Sequence, residues 1–220
     1  MGILSTENSL FKKEQETVAV VVIWLFQVSA LVGIFSGFQE WFINKTPLNL
    51  LIFFFLLILL FPVREPKSIF ALSLFFVLGI FVEWCGVNYG LFFGDYHYGE
   101  NLGWKFQGVP YLIGVNWALL VFITARIGQW ITPSWWSILI GAALMVLLDL
   151  FMELPAHEFD FWHWTDGHPP LQNFIAWFVV ALLMHTVFYI LKITGNLRLS
   201  GHLYAAQLFF FIVCYTYFNV

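Results

Sequence analysis

Charge is what this chain has least of. Asp, Glu, Lys and Arg make up 10% of its 220 residues, against about 25% in a soluble domain, and that alone excludes an ordinary soluble fold. The net charge is −4 and no basic cluster occurs, which removes nucleic acid from the partners to consider. Cysteine is nearly absent. Cys85 and Cys214 lie inside apolar runs with no CxxC or Cys/His spacing, so a disulfide framework and a zinc site are both excluded, and each reads as a small buried hydrophobe. The alternation a β-barrel needs is missing. So is a lysine in the last apolar run, residues 202–219, which rules out a retinal photoreceptor with its Schiff base there.

What is there is apolar and aromatic: 61% hydrophobic residues, with 27 Phe and 11 Trp. Seven apolar runs fall at about 17–37, 46–62, 68–90, 109–129, 134–153, 170–192 and 202–219. A membrane-spanning helix needs about 20 apolar residues, about 17 at the least. Backbone groups in hydrocarbon must be satisfied within the segment, so the runs read as helices. The second, between Pro47 and Pro62, is the shortest. The first is too long for a signal-peptide core and has no clear cleavage site, so it reads as retained. The expectation is an all-α polytopic bundle of about seven transmembrane helices. It would form a single membrane domain over residues 1–220, with a polar cytoplasmic segment at 1–16 and the bundle at 17–219. Lys12, Lys13, Arg64, Lys67, Arg126, Lys192 and Arg198 fall on the side of the N-terminus, and only Lys45 and Lys105 on the other. This bias predicts a cytoplasmic N-terminus and an external C-terminus in a multi-pass cell-membrane protein.

The acids segregate the other way. Glu40, Glu83, Asp95, Glu100, Asp149, Glu153, Glu158, Asp160 and Asp166 fall in the outer half, with His97, His157, His163 and His168. Two stretches of this half resemble each other. Glu83, Tyr96, His97 and Tyr98 map onto Asp149, Trp162, His163 and Trp164 at an offset of 66; Pro110 and Trp117 map onto Pro170 and Trp177 at an offset of 60. The pattern reads as a parallel internal repeat, the third and fourth helices against the fifth and sixth, of the kind that builds a site between two halves. Glu83 and Asp149 each lie fifteen residues beyond the start of their helix, about 22 Å across a core about 30 Å thick. Glu153 is one helical turn beyond Asp149, on the same face. A carboxyl at that depth is costly unless it faces a polar interior, so the three are expected to line one cavity open to the outer side.

Two carboxyl groups split between a drier and a wetter setting make an acid/base pair. The aromatics around them (Trp84, Tyr89, Tyr96, Tyr98, Trp104, Trp162, Trp164, Trp177) could pack along an apolar substrate or stabilise a cation through their faces. Protonation of a carbon–carbon double bond needs this combination. Plainer readings apply elsewhere. Asp95, Glu158, Asp160 and Asp166 read as solvated loop acids, Gly86, Gly90 and Gly94 as a helix-packing face, and His185 as a polar contact between helices.

The residues Glu83, Gly86, Gly90, Phe93-Gly94, Tyr96, Tyr98, Leu102-Gly103, Gly108-Val109-Pro110 and Trp117, with Asp149, Glu153, Pro155, Trp162, Trp164, Pro170, Asn173 and Trp177, resemble the integral-membrane carotenoid biosynthesis family whose characterised members are carotenoid 1,2-hydratases. The resemblance covers about residues 70–190. The sequence departs from the pattern at Phe92, where a proline often precedes Phe-Gly, and at Leu154, which separates Glu153 from Pro155. The resemblance implies addition of water across the terminal C1=C2 bond of an acyclic carotenoid, giving a tertiary alcohol with no cofactor and no metal. It implies Glu83, Asp149 and Glu153 as catalytic groups, with Tyr96, His97, Tyr98, Trp117, Trp162, His163, Trp164, Asn173 and Trp177 around the substrate. The expected partners are a carotenoid drawn from the lipid phase, water, membrane lipids and other carotenoid-synthesising enzymes. A lycopene cyclase acting on the same end group is the nearest rival. An ion-coupled transporter is less favoured, because the buried acids lie at one depth. A metal hydroxylase is disfavoured because His157, His163 and His168 are not spaced to share a helix face.

Overall fold

Prolines and glycines decide where the apolar runs become helices. In the computed structural model, which describes residues 2–218 and side chains from Lys13 onward, α1 (Gly2–Gly33) passes through a π-helical turn (Ile34–Phe38) into the short α2 (Gln39–Ile43). The break falls at Gly37, whose φ of 87° an L side chain would resist. α3 (Thr46–Leu60) opens with Pro47 in its first turn and stops at Phe61, held extended ahead of Pro62. α4 (Pro66–Tyr89) starts on Pro66 and ends where Gly90 turns left-handed (φ 64°), its N–H closing onto the Cys85 and Gly86 carbonyls. A loop carries β1 (Tyr96–Tyr98), β2 (Lys105–Phe106) and β3 (Val109–Pro110) into α5 (Tyr111–Ile131). α6 (Trp136–Glu158), β4 (Trp162–Trp164), α7 (Leu171–Ile190, entered from Pro170) and α8 (Leu197–Phe218) complete the chain.

Six segments are long and apolar enough to cross a membrane: Lys13–Ile43, Pro66–Tyr89, Tyr111–Ile131, Trp136–Glu158, Leu171–Ile190 and Leu197–Phe218. The protein is therefore an all-α polytopic bundle. The second expected span becomes α3, whose 15 residues measure about 22 Å, short of a full hydrocarbon core. It still joins the two ends of the bundle, because Phe61 packs against Gly195 while Trp41, Lys45 and Leu102 share a cavity wall at the other end. The polar segment at 1–16 is not a separate element: α1 is helical from Gly2. The side chains of Glu7 and Lys12 lie outside the described residues. One end of the bundle gathers the basic residues. Lys67 Nζ donates to the Lys192 carbonyl (3.1 Å), Arg126 Nε to the Gly195 carbonyl (2.9 Å), and Arg198 to Thr17 Oγ1 (3.2 Å).

α5 is the axis. Trp117 to Ile123 are all completely buried, as expected of a helix apolar on every face and surrounded on every side. It packs on α3, α4, α6, α7 and α8. His185 reaches it from α7, its Nε2 2.9 Å from Thr124 Oγ1, which is the interhelical contact expected of that residue. The Gly86, Gly90 and Gly94 series is not a packing face: the helix ends at Tyr89, and Gly90 and Gly94 take positive φ in the loop. Short strands, not among the expected elements, also form. β1 pairs antiparallel with β4 (Tyr96 opposite Trp164, His97 opposite His163, Tyr98 opposite Trp162), and β2 with β3.

The approach of α5 to α6 at Gly128 allows a test. A Cβ on Gly128 would stand 2.5 Å from the Ser137 carbonyl oxygen of α6, which is backbone and cannot yield, whereas Gly201 has nothing within 4 Å. Gly128→Ala should cost about 1–3 kcal/mol by forcing α5 and α6 apart, while Gly201→Ala should be neutral or stabilise by up to about 1 kcal/mol. Unfolding of the two variants in detergent measures the difference; equal stability would contradict the packing.

Candidate functional site: a three-carboxyl cluster beneath two paired strands

Each acid owes its place to a helix end. α4 carries Glu83 in its last two turns, and α6 carries Asp149 and Glu153 one turn apart. All three are buried, with 2%, 1% and 7% of their surface exposed, so none faces lipid. They line one cavity together with Tyr96, Tyr98, Asn116, Met152, Trp162, Trp164, Asn173 and Trp177.

The loops above them supply donors. In a strand, alternate residues share a face. Tyr96 and Tyr98 of β1 therefore point down together, as do Trp162 and Trp164 of β4. Both tyrosine hydroxyls donate to Glu83 Oε2, Tyr98 at 2.7 Å, and Trp117 Nε1 donates to Oε1 at 2.9 Å. Trp162 and Trp164 both donate to Glu153 Oε2, at 2.9 and 2.8 Å, and Asn173 Nδ2 donates to Oε1 at 2.8 Å. Burial first, and then the charge of Glu83, hold the Tyr96 and Tyr98 phenols well above the usual tyrosine range, so both remain donors. Glu83 and Glu153 thus each accept three hydrogen bonds, and the indoles among the donors can only give.

Asp149 is different. Its Oδ2 receives one long bond from Asn173 Nδ2 (3.3 Å), and its Oδ1 is buried with no partner. It is the only buried carboxyl oxygen without a hydrogen-bond partner among the described residues. The matched halves of the sequence meet at this place: β1 lies against β4, and the Trp117 and Trp177 rings stack at 4.0 Å and 15°. The offset of 66 nevertheless pairs the wrong acids. Glu83 is held by its strand and Glu153 by the other, so it is Glu153, not Asp149, that matches Glu83 in its bonding.

Of the residues expected at the substrate, Tyr96, Tyr98, Trp117, Trp162, Trp164, Asn173 and Trp177 stand at the cluster. His97 and His163 do not. The same alternation that turns their neighbours inward turns them out, where their rings stack on each other at 5.3 Å. There His163 Nδ1 lies 2.9 Å from His157 Nδ1, and its Nε2 lies 2.8 Å from Asp160 Oδ1. Asp160, read as a solvated loop acid, is 46% exposed and also ties two loops together, since its Oδ2 accepts the Glu100 N–H at 2.8 Å. Burial pushes its carboxyl up, but the bonds from His163 and Glu100 outweigh this and hold it below the usual range. Trp84 bonds to Gln107, and Tyr89 and Trp104 are exposed, away from the acids. No grouping of His, Cys, Asp and Glu suited to a metal occurs among the described residues. Asn116 and Met152 line the site without having been expected there; Asn116, a lone amide in an apolar run, was the readable signal. The cavity expected among the three acids is a void of about 20 Å³, space for about one water. Phe92, which stands where the resemblance has a proline, takes φ 71°, a conformation closed to proline.

Polar groups thus converge at one end of the helices that are long and apolar enough to span a membrane. The sequence model of the carotenoid biosynthesis protein family matches residues 45–219, well beyond the 70–190 of the sequence resemblance. The chain belongs to that family, and its role lies in carotenoid biosynthesis. Comparison with curated proteins and with solved structures gave no match.

The donor set makes a testable demand. Tyr98→Phe removes one of three donors from a buried carboxylate and should cost about 1–3 kcal/mol; Tyr89→Phe, at an exposed position, should cost nothing. Equal melting temperatures for the two variants would contradict the bonding described.

Proposed function

We propose that the protein is a carotenoid hydratase, adding water across the terminal C1=C2 bond of an acyclic carotenoid end group to give a tertiary alcohol, with neither cofactor nor metal. The observation that carries this reading is the unequal bonding of the three carboxyls. Glu83 and Glu153 are saturated by donors and held as acceptors, while Asp149 Oδ1 alone has no donor. A carboxyl oxygen without a donor is the one placed to carry a proton and give it away.

The reaction then runs as a balanced addition. Asp149 delivers its proton to C2, and the π electrons form the new C–H bond. The positive charge develops at tertiary C1, between the anionic Glu83 and Glu153 and beside the faces of Trp162, Trp164 and Tyr98. One water attacks C1 through oxygen and loses a proton to Glu153. That proton returns to Asp149, whose neighbour Asn173 touches both acids. The sum is alkene plus water to alcohol.

The clustering of Lys67, Arg126, Lys192 and Arg198 at the opposite end supports a cytoplasmic N-terminus, with the acid site toward the outer face. Water would come from that face and the carotenoid from the lipid, with other carotenoid-synthesising enzymes as neighbours.

Expression in a lycopene-making bacterium tests the proposal. The wild type should yield product one water heavier than lycopene. Asp149→Asn should lower its formation by about 10²- to 10⁴-fold, the usual worth of a general acid, and Glu83→Gln by at least about tenfold. Unchanged hydroxylated product from both variants would end the proposal, and a product isomeric with lycopene would replace it with cyclisation.

A further inference from the structure

The void among the acids is too small for anything but water, so a substrate that reaches them must be lodged in space adjoining it. Such a space exists. A cavity of about 400 Å³, within the range of small-molecule sites, lies between α1–α3 on one side and α5, α6 and α8 on the other. It shares four wall residues with the acid site: Ile113, Asn116, Met152 and Trp162. Its own wall is mostly aromatic and aliphatic, Phe53 and Phe210 among it, and the amides Gln27 and Asn49 bond to each other (3.3 Å). At the far side Trp41 and Leu48 line it while being 59% and 50% exposed, so it opens sideways to the surface the helices present to lipid. α2 lies along this mouth. It is swung there by the break at Gly37, and Phe42 packs where a Cβ on Gly33 would stand.

We propose that this cavity is the chain-binding channel of the same site, holding an extended unsaturated isoprenoid arm. The arm would enter from the bilayer between α2 and α3, with its terminal double bond passed between Asn116, Met152 and Trp162 to the acids. The proposal rests on the hydratase reading for its ligand, but the channel can be tested apart from turnover. The occupant is set by continuity: one end of the cavity meets proton-transfer groups, the other meets lipid, and the wall between is mostly apolar, its polar members including Gln27, Lys45, Asn49 and Gln207, with Asn49 Oδ1 left without a partner. A membrane acyl chain would fit the mouth but has no reason to reach the acids.

Two filling variants, Ala30→Trp and Leu50→Trp, are compared with the wild type and Asp149→Asn in nanodiscs. Binding of all-trans lycopene is read as quenching of tryptophan fluorescence, normalised to each variant's own signal. Turnover is read on lycopene and on a short acyclic alkene with the same end group. The channel predicts that both filling variants weaken lycopene binding at least tenfold, and that they lower the ratio of long- to short-chain turnover by a similar factor. It also predicts that Asp149→Asn binds lycopene as the wild type does. Lycopene binding unaffected by both filling variants, each shown to be folded by gel filtration, would overturn the channel. So would equal competition by a saturated fatty alcohol, which would mark a lipid-filled crevice. Wild-type binding that the fillings weaken, without turnover of either alkene, would support the channel and count against the hydratase reading alone.

Discussion

Two buried carboxyl groups, each met by three side-chain donors, are what the rest of this structure is arranged to supply. An unpaired charge in such a place costs about 3–5 kcal/mol, and hydrocarbon offers no water to relieve it. Glu83 and Glu153 are tolerated because two tyrosines, three tryptophans and an asparagine converge on them. That demand explains the two short strands. A helix places inward residues three or four apart, but a strand places them two apart, so the Tyr96/Tyr98 and Trp162/Trp164 pairs each meet one oxygen from adjacent positions on one face. Pairing β1 with β4 then locks both sets of donors in one piece.

The surroundings follow from the same requirement. α5 is buried through its middle, Trp117 to Ile123, where it carries Trp117, a donor to Glu83, and it packs on five other helices. Trp177 stacks on that indole and α7 brings Asn173 to Glu153 and Asp149. Asp149 is what remains when the donors have been distributed, and its bare oxygen gives the cluster an unequal member.

Much of this could be read from the residues. Hydrophobic run length gave six of the spans and, through Pro47 and Pro62, the shortness of α3. Depth counting put Glu83 and Asp149 at one level, and the Tyr-x-Tyr and Trp-x-Trp pairs marked the loops that matter. What could not be read was direction. Nothing local says that His97 and His163 face away, because that depends on strand pairing between residues 66 apart, although the alternation of aromatics was itself a strand signal. The internal match gave Asp149 as the partner of Glu83 because it compared positions along the chain, whereas bonding pairs Glu83 with Glu153, a turn later on α6. The adjoining cavity was invisible for a different reason: it is bounded by α1, α2 and α3, outside the resembling region, and by the kink at Gly37.

The central claim is that one proton resides on Asp149 between two donor-saturated carboxylates. Infrared spectroscopy of the purified protein at neutral pH reads this directly, through the carbonyl stretch of a protonated carboxylic acid. The account predicts such a band in the wild type, lost in Asp149→Asn and kept in Glu153→Gln. A band that survives Asp149→Asn, or that disappears only with Glu153→Gln, would contradict it.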